Sequence, residues 1–298
     1  MVAAYQERFL ELFRRRGEAA TVVGGAIFKR YSGMVVPFGP VDADYSLTPD
    51  EASRALRSLG GGLVRTTTGL GRPRAASEWY AVICREFTPI ERVPSANRRS
   101  KLRRALHNCE VRRMSAEELA SSGYDVYRAA HARYHAAGAP ASPAAFAAHA
   151  LASSGFEDIV QHWAVLCDGR LAGFSSNYVF GETEAMYSTL KFDPDHLRKY
   201  VSYALLHAMN EFYLAERRVS YVNDGFRTIR HGTELQQFLE HNFAFEKAYT
   251  GLDVFYRRPV RIAVRTTFPL RRVIARFDIR ARALYELESM VRAGRARA

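Results

Sequence analysis

A chain of 298 residues is long enough for about two domains, at a soft prior of roughly 150 residues each, and 48% hydrophobic content suits a protein with a real core. No run of ~18 apolar residues occurs, and Glu7 and Arg8 precede any apolar signal core, which argues against a membrane span and against secretion. The net charge of +12 is concentrated: Arg72 to Arg113 holds eleven Arg/Lys against four Asp/Glu, Arg257 to Ala298 holds twelve against three, and the remainder sums to −4. Two such stretches fit an anionic partner, or the solvated surface of an arginine-rich chain.

Ala3 to Arg16 predicts an amphipathic helix, with Tyr5, Phe9, Leu12 and Phe13 on one face. Thr21 to Lys29 follows as a strand with a bulge or turn at Gly24-Gly25, and Met34 to Val41 is a second extended piece broken by prolines. Thr48 with Glu51 is a capping box that opens a helix through Leu56 and Leu59. Leu63 to Thr67 and Trp79 to Cys84 read as strands. The run Arg98-Arg-Ser-Lys-Leu-Arg-Arg-Ala-Leu-His107 is a basic helix that Leu102, Ala105 and Leu106 seat on the body. Ser115 with Glu118 repeats the capping-box pattern ahead of a helix carrying Tyr127, Ala130 and Tyr134, and Ala144 to Ala152 forms another short helix.

Trp163 to Phe174 is a hairpin, because Asp168-Gly169 fits a two-residue turn between alternating strands. Glu184 to Phe192 is the next strand. At Asp193 a long helix begins, with Pro194 in its first turn and Leu197, Val201, Ala204, Leu205, Ala208, Met209 and Phe212 on its packed face. Its first N–H groups lie at the positive end of the helix dipole, where a phosphate can be held. Val219 to Val222 is a strand ending at Asn223-Asp224-Gly225, Thr233 with Gln236 caps a helix bearing Leu235, Phe238, Leu239 and Phe243, and Tyr249 to Tyr256 closes the series. The tail has Leu270, Val273, Ile274, Phe277, Ala281, Leu284 and Val291 at helical spacing among arginines. Such a helix either packs on the protein or lies on an anionic membrane.

The order hairpin, strand, phosphate-facing helix, strand, helix, strand resembles the GNAT superfamily of N-acyltransferases, with Phe243-Ala-Phe245 where that family carries a Gly-Phe. The run Val36-Pro-Phe-Gly-Pro-Val41 and the basic helix around Arg98 to Arg104 are similar to the Fem-type transferases, which join two GNAT-like units in one chain. The resemblance implies an α/β fold of two GNAT-like units in tandem, each a mixed, mostly antiparallel sheet flanked by helices. The expected division is a degenerate N-terminal unit over 1–95, a basic connecting helix over 96–114, an acyltransferase unit over 115–265 and a basic amphipathic helix over 266–298.

The activity so implied is transfer of an acyl group from an acyl-CoA-type thioester to an amine, without a metal, in the cytoplasm. The alternatives are a Fem-like, aminoacyl-tRNA-dependent transfer to a cell-wall precursor, and a non-catalytic module that grips an anionic ligand. Partners are then an amine-bearing acceptor, a tRNA or lipid-linked precursor, and an anionic membrane surface touched peripherally. Lys191, Phe192, Leu197, Arg198, Lys199 and Tyr200 are the residues placed to hold the donor. The family's glycine-rich pyrophosphate loop corresponds to Arg198-Lys-Tyr-Val-Ser-Tyr203, which has no glycine, so Arg198 and Lys199 would offer charge instead. Asp224 is the first choice for the base, or an Asx-turn residue; His231 and Tyr187 follow, the first as a base or a loop histidine, the second as a proton donor or core residue. Asn223, Arg227 and Arg230 line the acceptor side. The three cysteines, Cys84, Cys109 and Cys167, read as reduced thiols.

Overall fold

The structure, a computed structural model, describes residues 4–133, 139–229 and 234–297. In chain order it forms α1 (Ala4–Arg15), β1 (Ala20–Val23), β2 (Ala26–Tyr31), β3 (Met34–Phe38), α2 (Pro49–Leu59), β4 (Leu63–Leu70), β5 (Tyr80–Cys84), α3 (Ala96–Asn108), β6 (Cys109–Met114), α4 (Ala116–Ser122), α5 (Tyr124–Arg133) and α6 (Pro143–Leu151). It continues with β7 (Val160–Cys167), β8 (Arg170–Phe180), β9 (Glu184–Phe192), α7 (Val201–Asn210), β10 (Tyr221–Phe226), α8 (Glu234–Asn242), β11 (Glu246–Tyr256), α9 (Arg258–Thr267), α10 (Arg271–Ile274) and α11 (Ile279–Arg297).

Two compact units result. The first comprises Met1–Val82, Phe226–Gln237 and Lys247–Ala298, the second Ile83–Gly225 and Phe238–Glu246. The division therefore falls within β5 instead of at the basic helix, and β11 with α9–α11 belongs to the first unit. The physical reason is a long-range pairing: β11 runs antiparallel to β4 from Thr250↔Leu70 to Tyr256↔Leu63, and no local signal reports such a partner.

In the first unit, α1 buries Phe9, Leu12 and Phe13, and both phenylalanines meet Phe38 edge-on at 4.9 Å. Of the bulge or turn expected at Gly24-Gly25 the structure takes the turn, so the stretch over 21–29 is a hairpin, β1–β2, with Gly24 and Gly25 at φ 59° and 78°, a conformation that costs glycine little. β2 pairs antiparallel with β3, and β3 pairs parallel with β4 through only Met34↔Leu63 and Val35↔Val64. α2 opens on both arms of the expected capping box, Thr48 accepting from the Glu51 N–H and Glu51 accepting from the Thr48 N–H. Its Ala52, Ala55, Leu56 and Leu59 pack on Phe28, Val35 and Val64, while the other face of the sheet is covered by Leu287, Met290 and Val291 of α11.

In the second unit, β6, β7, β8 and β9 pair antiparallel in that order and β10 adds parallel to β9. β6 went unforeseen because Cys-Glu-Val-Arg-Arg-Met carries three charges in six residues; its pairing with β7 places it. That pairing sets Cys109 opposite Cys167 with their sulfurs 2.9 Å apart, so two of the three thiols meet. α3 buries Leu102 and Ala105 but leaves Leu106 41% exposed, so Leu106 does not seat it. Ser115 caps α4 through the Glu118 N–H, yet the Glu118 carboxylate turns to Arg112, so the second capping box is half made. The helix expected beyond it stops at Gly123, where a Cβ would stand 2.7 Å from the Leu119 carbonyl, and resumes as α5. Tyr134, Arg230, His231 and Thr233 lie outside the described residues. The capping pair expected of Thr233 with Gln236 lies partly outside them, and the Gln236 side-chain amide donates to the Phe226 carbonyl at 3.2 Å.

Candidate active site

The second unit's site begins where a short parallel pair ends. β10 and β9 share Tyr221↔Glu184, Val222↔Ala185 and Asn223↔Met186, and no further rung, although β9 continues to Phe192. At the last rung Asn223 is fully buried: its amide donates to Glu184 and its carbonyl oxygen accepts from the Gly225 N–H at 2.7 Å. Gly225 sits at φ 85°, which suits glycine. The Asx turn at the end of β10 is thus made by Asn223, and the partly exposed Asp224 carboxylate is not its acceptor.

Tyr187 is the first β9 residue beyond the shared rungs. It is 3% exposed, and its hydroxyl donates to Asn210 of α7 at 2.6 Å. Burial pushes its pKa well above the usual value, and Tyr213, Cys84 and the Asp224 carboxylate add to the rise, so at neutral pH it is an uncharged hydroxyl. The Cys84 thiol is held between the carbonyls of Glu86 and Phe243, and burial pushes its pKa up to about 11, which removes it as a nucleophile at neutral pH. Behind this wall, α7 passes into a π-helical turn, Glu211–Glu216, that points Tyr213 inward. The Tyr213 hydroxyl accepts from Trp163 at 3.1 Å and Asn177 at 3.3 Å and donates to Gln161 at 2.9 Å. A buried network satisfied in this way fixes the strands against α7.

The donor-binding run differs from the expected long helix. Asp193 caps a 3₁₀ turn, Pro194–Lys199, by accepting from the Asp195 N–H at 3.0 Å; Tyr200 then adopts the left-handed conformation at φ 62°, ψ 36°, and the α-helix starts only at Val201. A non-glycine residue in that region is held there by its surroundings at a cost of order 1 kcal/mol. No side chain caps α7. Lys199 pairs with Asp168, whose pKa it lowers, and Arg198 is exposed. Lys191 is half-buried and its pKa is lowered by that burial, Phe192 packs against Gly173, and Leu197 is partly exposed. Two cations not singled out from the sequence stand beside this run: the Arg104 guanidinium lies 5.1 Å from the Tyr200 ring and the Lys101 ammonium 5.9 Å from the Tyr203 ring, both from α3. Only the packing of α3 on α7 selects these two from the basic helix.

Arg227 belongs to the first unit. Its guanidinium binds Glu286 at 3.0 Å and its N–H donates to the Tyr80 carbonyl, so most of its bonding is internal to that unit. Among the described residues no group of three His, Cys, Asp or Glu could hold a metal ion, and no helix is long and apolar enough to cross a membrane.

A forked parallel pair, a helix opening beside the fork and a buried wall of hydrogen-bonded side chains define an acyltransferase-type α/β fold, present here as a tandem. Residues 95–225, a little under half of the chain, match the family model described as acetyltransferase (GNAT) domain, so that stretch is GNAT-like. Among solved structures it is similar to FemX, at 10% identity and a TM-score of 0.54 over 87% of this chain and 92% of that one. It is also similar to the C-terminal domain of a protein classed as a lysylphosphatidylglycerol synthetase from Agrobacterium fabrum, at 15% identity and a TM-score of 0.52 over 86% and 90% of the two chains. No curated protein sequence matches it.

Proposed function

We propose that the second unit transfers an acyl group from a CoA-type thioester to an amine. The observation that carries this reading is the fork beyond Asn223 and Met186, with Asp224 on one arm and Tyr187 to Phe192 on the other. The unpaired edge of β9 suits an extended donor arm. The 3₁₀ turn, the uncapped start of α7, and Lys191, Arg198, Lys199, Lys101 and Arg104 suit its phosphates, backbone donors and cations standing in for a glycine loop.

In this reading Asp224 takes a proton from the acceptor ammonium or orients the amine, the nitrogen adds to the thioester carbonyl, and the C–S bond breaks as the thiolate leaves with a proton. His231 is the next candidate for the base. Tyr187 can act as the proton donor only by giving up its bond to Asn210, so it also serves as the wall that positions β9. Asn223 sets the direction of Asp224 through the turn at Gly225. Calorimetric titration of CoA and acetyl-CoA tests the donor. Binding supports the reading; no binding of either, with turnover of an aminoacyl-tRNA, would favour the second reading, transfer from a charged tRNA to a lipid-linked acceptor, which the likeness to FemX and to the synthetase domain motivates. Failure of both donors leaves a module that binds an anion without turnover.

A further inference from the structure

The arginine-rich tail divides into two parts with opposite surroundings. α11 turns inward: Leu287, Met290 and Val291 are 1–6% exposed and sit on Trp79 and Val254 in the core of the first unit. The preceding segment, from α9 through α10 to Phe277, is anchored by one side only. Val264 and Phe268 are buried, the guanidiniums of Arg271 and Arg292 lie 4.4 and 3.8 Å from the Phe268 ring, and the Tyr285 hydroxyl donates to Thr267 at 2.7 Å.

The outward side is apolar and basic together. Among the described residues nine large hydrophobic side chains are exposed, and four of them fall between 262 and 277: Ile262 at 54%, Leu270 at 60%, Val273 at 56% and Phe277 at 85%. Leu270 ends a 3₁₀ turn, Val273 lies in α10 and Phe277 in the turn that follows it, so three exposed apolar side chains fall within eight residues. Around them Arg258, Arg261, Arg265, Arg272 and Arg276 are exposed, and residues 257–277 contain no carboxylate. Exposed phenylalanine and leucine do nothing for a polyanion bound through its phosphates. An anionic bilayer accepts both at once, with aliphatic and aromatic tips entering the headgroup boundary and guanidiniums remaining among the phosphates.

We propose that this face, Arg258 to Phe277, docks the protein onto an anionic lipid bilayer. The proposal does not depend on acyl transfer, and its test needs no activity. The whole chain is sedimented with vesicles of phosphatidylcholine alone and of phosphatidylcholine with phosphatidylglycerol, at low and physiological salt. Binding is expected only with phosphatidylglycerol, weakening as salt rises. The triple variant Leu270→Ser, Val273→Ser, Phe277→Ser should lose roughly tenfold in partitioning, as should Arg272→Glu with Arg276→Glu. Both should keep the parent's thermal transition, because the altered side chains are exposed. Absence of binding to phosphatidylglycerol vesicles at low salt overturns the proposal. So does binding lost with the arginines but kept by the apolar triple variant, which marks a polyanion site. Concentration-dependent self-association in ultracentrifugation that the triple variant abolishes would mark a contact between copies instead.

Discussion

Both units contain a strand, a helix and a second strand parallel to the first, and in both the parallel pair is short: two rungs between β3 and β4, three between β9 and β10. The two forks are then used differently. In the first unit the chain fills its own fork, since the Tyr45 N–H donates to the Thr67 carbonyl at 2.8 Å, Asp44 bridges to Thr68, and the Tyr45 ring enters where only Gly39 leaves space. Its helix α2 closes its N-terminus with the Thr48–Glu51 box. In the second unit Asp224 stands at the fork and α7 starts from a left-handed Tyr200 without a side-chain cap. In the proposed reading the first unit, which satisfies its own fork and helix end, is the scaffold, and the first N–H groups of the uncapped α7 are ones a ligand can use.

The sharpest way to break this comparison is to make the same change at both forks. Asp224→Asn should lower turnover by about 10²- to 10⁴-fold in a thiol-release assay, while Asp44→Asn should leave it within a few-fold. If Asp224→Asn also survives within a few-fold, Asp224 is structural and the forks are alike. The plug gives the next largest effect. Tyr45 is 6% exposed and its hydroxyl donates to the Pro40 carbonyl at 2.9 Å, so Tyr45→Ala should cost about 3 kcal/mol in urea unfolding, through the cavity it leaves.

Donor affinity should respond less. Arg198→Ala and Lys199→Ala should each weaken CoA binding roughly tenfold by calorimetry, and unchanged affinity in the double variant would move the phosphates elsewhere. The smallest effect is in pH dependence. His207 on α7 is 6% exposed beside Phe87, and burial lowers its pKa, with Glu91 opposing weakly. The unfolded chain therefore binds a proton near pH ~6.5 that the folded chain refuses. Stability from this group is full above that value and is lost as pH falls through the lower folded pKa. His207→Gln should flatten the drop in thermal midpoint between about pH 7 and pH 5; an unchanged slope would assign the drop to other groups.

The sequence alone determined what local chemistry can encode. α1, α2, α3, the Asp168-Gly169 hairpin and β9 follow from periodicity, caps and turn residues, since each is settled by side chains within a few positions. The resemblance to a tandem GNAT arrangement came from their order. Tertiary structure alone decided the rest. β6 exists by virtue of its pairing with β7, and β11, legible as a strand over Tyr249 to Tyr256, owes to its pairing with β4 its place, with α9 to α11, in the first unit. The long helix expected from Asp193 breaks at Tyr200, because a left-handed tyrosine is held by packing and not announced by composition. Tyr187 and Asn210 stand 23 residues apart, as Asn223 and Glu184 stand 39 apart, so neither buried pair had a local signature. The tail's apolar residues also looked equivalent in sequence. Burial separates Leu287 and Val291 from Leu270 and Phe277, because a helix face becomes core or surface only when another element arrives to cover it.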